Sequence, residues 1–371
     1  MADGFVPYLL RHMRQVTGPN ALPQSKVTAA GYLGYLLAQK RVAVTNLQEV
    51  LAGDDGSGHL VDVRFRYAQR ITDDQIKDTD NCDIDAVPVR KEGAVARTLF
   101  SKYSMYIADE TIEKYEKEAS TTVMVGKPAT ALMSEFYEDL VLAMNGIIGN
   151  IDKKLLAKQA LTFGKNVVTG NANAVAVNIP QDNTVNDLNT GLTKMLNDAI
   201  LNEMTGALNI VGSGIFTAYQ LQQAFKTAAQ NGVDTSRITG YNFYHDLYAG
   251  TGWGANQVGV FEQGAVQLVD INRFVGFKAG PKPGASSFFT LPVPVEIAAG
   301  VYSTLVLDCQ LKYVDCPTLA MVGGVEQTVN RGYILMLSKP FDQWNIPTDA
   351  YAAADRLTGN NGTLRYTISN T

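Results

Sequence analysis

Cysteine and histidine are both scarce in this sequence. Its 371 residues include three histidines and three cysteines, Cys82, Cys309 and Cys316. Three cysteines are too few for a framework of disulfides, and this usage is typical of a protein that folds in a reducing compartment. The six residues between Cys309 and Cys316 do not match the ligand spacing of a zinc site. The sequence therefore excludes a disulfide scaffold and gives no zinc motif.

Charge and long apolar runs are also limited. Charged residues make up only 18% of the chain, and the formal net charge is −5. No arm or stripe rich in Lys and Arg is present, so tight binding of nucleic acid is not expected. No stretch reaches the roughly 18 apolar residues of a membrane span, and the start, MADGFVPYLLRHMRQ, lacks the pattern of a signal peptide. We expect no membrane partner.

Alternation of apolar and polar residues predicts a long hairpin in the first third of the chain. Residues 1–58 contain several prolines and are interpreted as an arm rather than as core, with one short apolar helix near AAGYLGYLLAQKR. The segment LVDVRFRYAQRI (60–71) has the period of two that is typical of a strand. AVPVRK and ARTLFSKYSMYI (96–107) repeat this character and supply the returning side of the hairpin.

An acidic segment, ITDDQIKDTDNCDIDAV (71–87), lies at the far end of this predicted hairpin. Its Asp78-x-Asp80 spacing invites comparison with a calcium loop. The comparison fails, because Cys82 is an unsuitable ligand, Asp83 stands where glycine is required, and Val89 stands where the last glutamate belongs. We assign no metal and interpret the segment as a solvated tip, although a metal site of another kind in residues 73–85 stays open.

The rest of the chain predicts an α+β fold. A short helix is predicted at DETIEKYEKEA, followed by a much longer one over residues 128–162, which Gly146 and Gly149 are expected to kink or interrupt. Residues 184–232 are predicted to be helix, strand and helix, and the chain beyond residue 240 is rich in strand patterns. The apolar stripe of the long helix consists of Leu132, Phe136, Leu140, Ala143, Ile147, Ile151 and Leu155.

Enzyme-like signals are weak. The strand ALNIV followed by the turn GSG (212–214) has the order of a dinucleotide motif, but Thr217 replaces its third glycine. GKPAT (126–130) does not match a phosphate-binding loop. His245-Asp246 beside Tyr244 offers two members of a triad, but no nucleophile elbow is present. We predict no enzyme activity, no catalytic residue and no cofactor.

Taken in order, these elements resemble the major capsid protein of tailed bacterial viruses, which has the HK97-type fold. The segment VGVFEQGAVQLVDINRF (258–274) is similar to apolar strand segments with an embedded glycine in that family. The resemblance implies five regions. They are an N-terminal arm (1–58), an extended hairpin or E-loop (59–107), a peripheral P domain with a spine helix (108–165), an axial A domain (166–300) and C-terminal strands that return to the P domain (301–371).

The resemblance also implies a structural function. The chain would self-assemble, as hexamers and pentamers, into an icosahedral shell that encloses double-stranded DNA and contacts it weakly. Scaffolding, portal and decoration proteins would be its partners, assembly would occur in the host cytoplasm, and the final location would be the virion. The start at MADG predicts no fused scaffolding segment, and Lys77 is not expected to form a crosslink. Two alternatives remain: an encapsulin-like compartment, or a nucleotide-binding enzyme that uses residues 207–232.

Overall fold

The computed structural model describes residues 26–29, 31–39, 42–45, 63–68, 90–95, 99–109, 131–170, 175–178, 194–214, 241–273, 286–298, 300–315, 318–322, 325–329, 332–350 and 357–369. The helices among these residues are α1 (Gly31–Ala38), α2 (Ala131–Thr162), α3 (194–201) and α4 (Ala249–Gly252). The strands are β1 (Val27–Thr28), β2 (Val42–Thr45), β3 (Val63–Ala68), β4 (Arg90–Val95), β5 (Leu99–Ala108), β6 (Val175–Asn178), β7 (Leu208–Gly212), β8 (Tyr241–His245), β9 (Gln257–Phe261), β10 (Val266–Asn272), β11 (Ser287–Ala298), β12 (Val301–Val314), β13 (Thr318–Val322), β14 (Val325–Val329), β15 (Gly332–Asn345) and β16 (Thr363–Ser369). Helices and strands are thus mixed along the chain, as the α+β prediction requires.

A seven-stranded sheet carries the larger core. Its order is β1-β11-β12-β15-β10-β2, and β5 pairs with the remaining edge of β15. Along β11 the buried positions alternate with half-buried ones, so that Phe289, Leu291, Val293 and Val295 all face the core. This alternation follows from the strand geometry, which turns successive side chains to opposite faces.

Helix α2 packs against this sheet. It is continuous over 32 residues and is therefore about 48 Å long, at about 1.5 Å per residue. The prediction of one long helix is confirmed, whereas the predicted interruption at Gly146 and Gly149 is wrong. The predicted stripe is buried from Leu140 to Leu155, and the side chains of Leu132 and Phe136 lie outside the described residues. No described helix combines enough length with enough apolar character to cross a membrane.

Helix α1 lies at the centre of the core, which corrects the interpretation of the first 58 residues as an arm. Residues 31–37 are all buried, and the rings of Tyr32 and Tyr35 are fully enclosed. The Tyr35 ring stacks on Phe261 at 5.2 Å between centroids, and the Tyr32 ring meets Trp253 at 5.7 Å. A helix that is apolar on every side is stable only when it is surrounded, and here α2 and both sheets surround it.

A five-stranded sheet, in the order β6-β16-β9-β7-β8, forms the second layer. One of its faces packs on α3 through a small core that includes Met195, Ala199, Ile210, Val260 and Tyr366. Val211 and Phe261 join the larger core instead. Within α3, Ala199 belongs to this small core, whereas the neighbouring Ile200 side chain is 60% exposed.

Strand pairing crosses the regions implied by the resemblance. Strands β10 and β11, from the region 166–300, pair with β15 and β12 in the seven-stranded sheet. Strand β16, from the region 301–371, pairs with β6 and β9 in the five-stranded sheet instead of joining β12 and β15. The β-rich character was predicted correctly, but strand partners depend on residues far apart in the chain and were not visible in the local pattern.

Two ribbons form sheets of their own. Strands β3 and β4 pair antiparallel, as do β13 and β14. The predicted hairpin is thus confirmed for β3 and β4. It is wrong for residues 99–108, because β5 leaves the ribbon and pairs with β15 over ten positions, from Ala108↔Gly332 to Leu99↔Phe341.

Candidate functional site

The predicted acidic tip lies outside the described residues. This applies to residues 71–87, including Lys77, Asp78, Asp80, Cys82 and Asp83, and also to Val89 and Cys316. The interpretations of these residues therefore stay predictions. In the part of the chain that is described, no group of three or more His, Cys, Asp or Glu side chains is arranged to hold a metal ion. Cys309 is a free, buried thiol, and burial raises its pKa well above the usual value.

The β3–β4 ribbon, whose strands flank the acidic segment in the chain, carries exposed charged side chains. Six residue pairs join β3 and β4, from Val63↔Val95 to Ala68↔Arg90. Arg66 and Glu92 are direct cross-strand partners, with 3.3 Å between Nε and Oε1, and their side chains are 80% and 57% exposed. An exposed ion pair of this kind stabilises a ribbon very little. This surface ion pair therefore contributes little to the stability of the described part of the ribbon.

One carboxylate binds the ribbon near the end that continues into the acidic segment. The Tyr67 hydroxyl donates to Oδ1 of Asp349 at 2.6 Å, and the Lys91 ammonium lies 3.2 Å from Oδ2. Tyr67 and Lys91 are cross-strand partners, so Asp349 binds both strands at the same level. The hydrogen bond from Tyr67, together with Lys91, lowers the pKa of Asp349. Burial and the bond to Asp349 raise the pKa of Tyr67 to about 12.

Removing this anchor should loosen the ribbon and spare the core. In Asp349→Ala both contacts are lost, and we expect amide exchange in β3 and β4 to rise about fivefold, the effect of about 1 kcal/mol. Asp349→Asn keeps an acceptor for Tyr67 and should give a smaller rise. Hydrogen–deuterium exchange with mass spectrometry measures both, with β12 as the internal control. Unchanged exchange in β3 and β4 of Asp349→Ala would show that the ribbon is held elsewhere.

The strand–turn segment that suggested a nucleotide site leads into a filled crevice. Strand β7 is buried, and it pairs in parallel with β8, so the carboxyl ends of both strands meet at one edge. A nucleotide would bind beside that edge. Here the first turn of α1 occupies it, and a Cβ on Gly31 would lie only 2.3 Å from Oδ2 of Asp246. Ser213 is used in the same packing, because its hydroxyl donates to Ala255 O at 2.9 Å. This geometry disfavours the nucleotide-binding alternative, whose predicted helix beyond residue 214 lies outside the described residues.

Asp246 has a structural role instead of the role of a triad carboxylate. Its Oδ2 accepts from the backbone amide of Tyr32 at 2.7 Å. Its Oδ1 accepts from the amides of Tyr248 and Ala249 at 2.6 and 2.8 Å. These bonds satisfy amides at the starts of α1 and α4, which have no partner within the helix. The carboxylate thus holds two helix ends in place, while the neighbouring His245 is exposed.

A second buried carboxyl, Asp152, was missed from the sequence. It lies on the buried face of α2 between Ile148 and Leu155, and its Oδ1 accepts from the amide of Leu33 at 2.9 Å. Burial, reinforced by the nearby Asp246, raises the pKa of Asp152 well above the usual range. An acidic residue inside an apolar helix stripe was the available signal, because a buried charge requires specific partners. The sequence around Asp349 contains no comparable signal, because the two partners of Asp349 lie in a hairpin that is far away in the chain.

Comparison with known proteins finds similarity at the level of structure. No family model and no curated protein matches the sequence. The capsid asymmetric unit of cyanophage A-1(L) is 11% identical, with a TM-score of 0.45 over 93% of this chain and 94% of that chain. The capsid of cyanophage P-SCSP1u is 10% identical, with a TM-score of 0.45 over 93% and 90% of the two chains. A virus-like particle from Pyrococcus furiosus is 9% identical, with a TM-score of 0.43 over 91% and 92%. These solved structures are capsid and virus-like-particle proteins, matched over nearly their whole length.

Proposed function

We propose that this chain is a shell-forming subunit, the major capsid protein of a tailed bacterial virus, and that it has a structural and not a catalytic function. The observation that carries the proposal is the ribbon of β3 and β4. It forms a sheet of its own, and its Tyr67 and Lys91 side chains both bind Asp349 of the subunit body. A two-stranded ribbon of this kind gains stability from any further surface that covers it.

The physics of a two-stranded ribbon supports a partner. A ribbon without a third strand or a covering layer is at best marginally stable in water. The β13–β14 ribbon has the same problem, and Leu319 and Val325 are 66% and 59% exposed on it. Binding to neighbouring copies would cover both ribbons. Copies that each extend a ribbon onto the next subunit form rings or shells, because a head-to-tail interface closes when its rotation allows.

The remaining elements fit the regions that the resemblance implies, with adjusted limits. The ribbon would be the E-loop, α2 the spine of the P domain, and the seven-stranded sheet the layer beneath that spine. The five-stranded sheet with α3 would form most of the A domain, including β16 from the end of the chain. The first residues would contribute α1 to the joint between the two sheets in addition to any arm.

The proposed contents and partners are those that the resemblance implies, and the net charge is compatible with the contents. A formal net charge of −5 suits a container that holds double-stranded DNA without strong phosphate contacts and later releases it. The main partner would be the chain itself, as hexamers and pentamers. Scaffolding, portal and decoration proteins would join it during assembly in the host cytoplasm, and the finished location would be the virion.

Expression of the full chain tests the proposal. We expect megadalton shells, tubes or rings of five and six subunits by size-exclusion chromatography and negative-stain microscopy. A monomer or dimer that persists at high concentration would contradict the proposal. The contents of particles isolated from their natural source separate the two kinds of shell, since double-stranded DNA supports a capsid and a protein cargo supports an encapsulin-like compartment.

A further inference from the structure

Two buried carboxyl groups meet at the start of α1. Asp152 comes from α2 and Asp246 from the end of β8, and they are 5% and 1% exposed. They accept hydrogen bonds from consecutive amides, those of Leu33 at 2.9 Å and Tyr32 at 2.7 Å. Because consecutive amides of one helix turn bind them, the two carboxyl groups are neighbours in the core. A hydrogen bond between two carboxyls requires that one of them carries a proton.

Among the described residues, few positively charged groups lie near the two carboxyls. The titratable and charged groups around the pair are Tyr32 and Tyr35 on α1, Lys153 on α2, Tyr244, His245 and Tyr248 around the end of β8, and Glu262 after β9. Lys153 places its ammonium 4.4 Å from the ring centroid of Tyr248. Glu262 adds a further negative group and accepts from Thr205. Backbone amides donate hydrogen bonds to both carboxyls.

We propose that Asp152 and Asp246 share one proton, and that this proton is a pH-sensitive lock which joins α2 to β8 through the first turn of α1. Two neighbouring carboxylates inside a protein cannot both ionise without a large cost, so Asp152 keeps its proton beside Asp246. Helix α2 packs on the seven-stranded sheet and β8 belongs to the five-stranded sheet. The lock therefore controls how firmly the two layers are joined, whether or not the subunit is in a shell.

A cavity gives water a route to the lock. Its volume is about 180 Å³, and Asp152 lies in its wall with Thr28, Asn145, Ile148 and Tyr248. When the shared proton is lost, the second charge needs hydration, and the cavity is where water would enter. We expect the joint to loosen at this point, between α1 and α2.

The sign of the pH dependence follows from the direction of the shift. Burial and the neighbouring acid raise the pKa of Asp152, so the folded state holds a proton that the unfolded chain would release. The stabilisation is complete below the ordinary pKa of an aspartic acid, about 3.9. It is lost as the pH rises through the raised pKa of Asp152. The lock thus favours mildly acidic over alkaline conditions.

Asp152→Asn tests the proposal with little change of shape. The amide oxygen keeps the bond from Leu33, and the amide N–H replaces the shared proton toward Asp246, but the side chain cannot ionise. Between pH 6 and pH 9 we expect the melting temperature of the full-length wild type to fall by at least about 3 °C more than that of the variant. Asp198→Asn is the matched control. Asp198 is also buried, but it accepts from the neutral donors Asn166 and Tyr366, so this variant should keep the wild-type pH dependence.

Equal pH dependence in wild type and Asp152→Asn would overturn the proposal, as would an equal loss of pH dependence in Asp198→Asn. If Asp152→Asn does not fold, infrared spectroscopy of the wild type decides. We expect a protonated-carboxyl band at pH 7 that persists in Asp342→Asn, because burial also raises the pKa of Asp342. The absence of this band from wild type, or its disappearance in Asp342→Asn, would overturn the proposal.

Discussion

A variant in which a short Gly-Ser linker replaces Val63–Val95 is expected to fold and to form at least about tenfold fewer particles than wild type. Val63 and Val95 are cross-strand partners, so their Cα atoms lie about 5 Å apart and a short linker closes the gap without strain. The main loss on the subunit side is the exposed anchor at Asp349. For assembly, the variant loses the whole proposed interface between subunits. Each 1.4 kcal/mol of interface energy changes an association constant about tenfold.

Particle yield at equal protein concentration, measured by sedimentation and negative-stain microscopy, checks this result. Circular dichroism and the melting temperature establish that the shortened subunit is folded. A matched variant that lacks only residues 72–86 keeps β3 and β4, and it separates the contribution of the acidic tip from that of the ribbon. Shells of normal yield and shape from the variant without Val63–Val95 would show that the ribbon is not the assembly element.

Long periodic elements were predictable from the sequence because their pattern is local. The stripe from Leu140 to Leu155 recurs at steps of three or four over more than four turns, so it could be read without knowledge of the partner surface. The alternation in residues 63–68 predicted β3 for the same reason. Strand β5 shows the limit of prediction from local patterns. Its pairing with β15 joins residues more than 200 positions apart, and no local feature specifies this pairing.

The misinterpretation of α1 has a different cause. The segment GYLGYLLA is apolar on all sides, so it has no amphipathic period, and the prolines before it favoured an arm. Yet an apolar helix without a polar face is stable only when it is buried, which was the stronger argument. The same reasoning identifies the buried polar residues. Asp152 in the stripe of α2 and Lys339 in β15 are charged residues at core positions, and each must have partners that the sequence does not name.

Lys339 provides the second large effect, since its side chain is fully buried on the central strand of the seven-stranded sheet. Its ammonium forms an ion pair with Asp270, and it donates to Ile271 O and to Oδ1 of Asn272, both at 2.9 Å. All three acceptors come from β10, which pairs with the next part of β15. The lysine thus joins two neighbouring strands by bonds to a carboxylate, a carbonyl and an amide.

Lys339→Ala is expected to lower the free energy of unfolding by about 3–5 kcal/mol, because it leaves the Asp270 carboxylate buried without its cation. The corresponding fall in melting temperature is about 4–6 °C for a chain of this length, measured by calorimetry at equal protein concentration and assembly state. Arg66→Ala is the control for loss of a positive charge. The Arg66 side chain is 80% exposed, so its removal should change stability by no more than about 0.5 kcal/mol.

A double-mutant cycle separates the lost attraction from the stranded charge. Lys339→Met fills most of the space of the lysine but also removes the ammonium that forms the ion pair with Asp270, so we expect it to be almost as destabilising as Lys339→Ala. Adding Asp270→Asn to Lys339→Met removes the buried charge and should restore part of the lost free energy of unfolding. The double variant should therefore be more stable than the sum of the two single changes predicts. If the double variant is instead as unstable as the sum of the two single changes, the ion pair is not the source of the effect. The hydrogen bonds from Lys339 to Ile271 and Asn272 would then account for the stability of this part of the sheet.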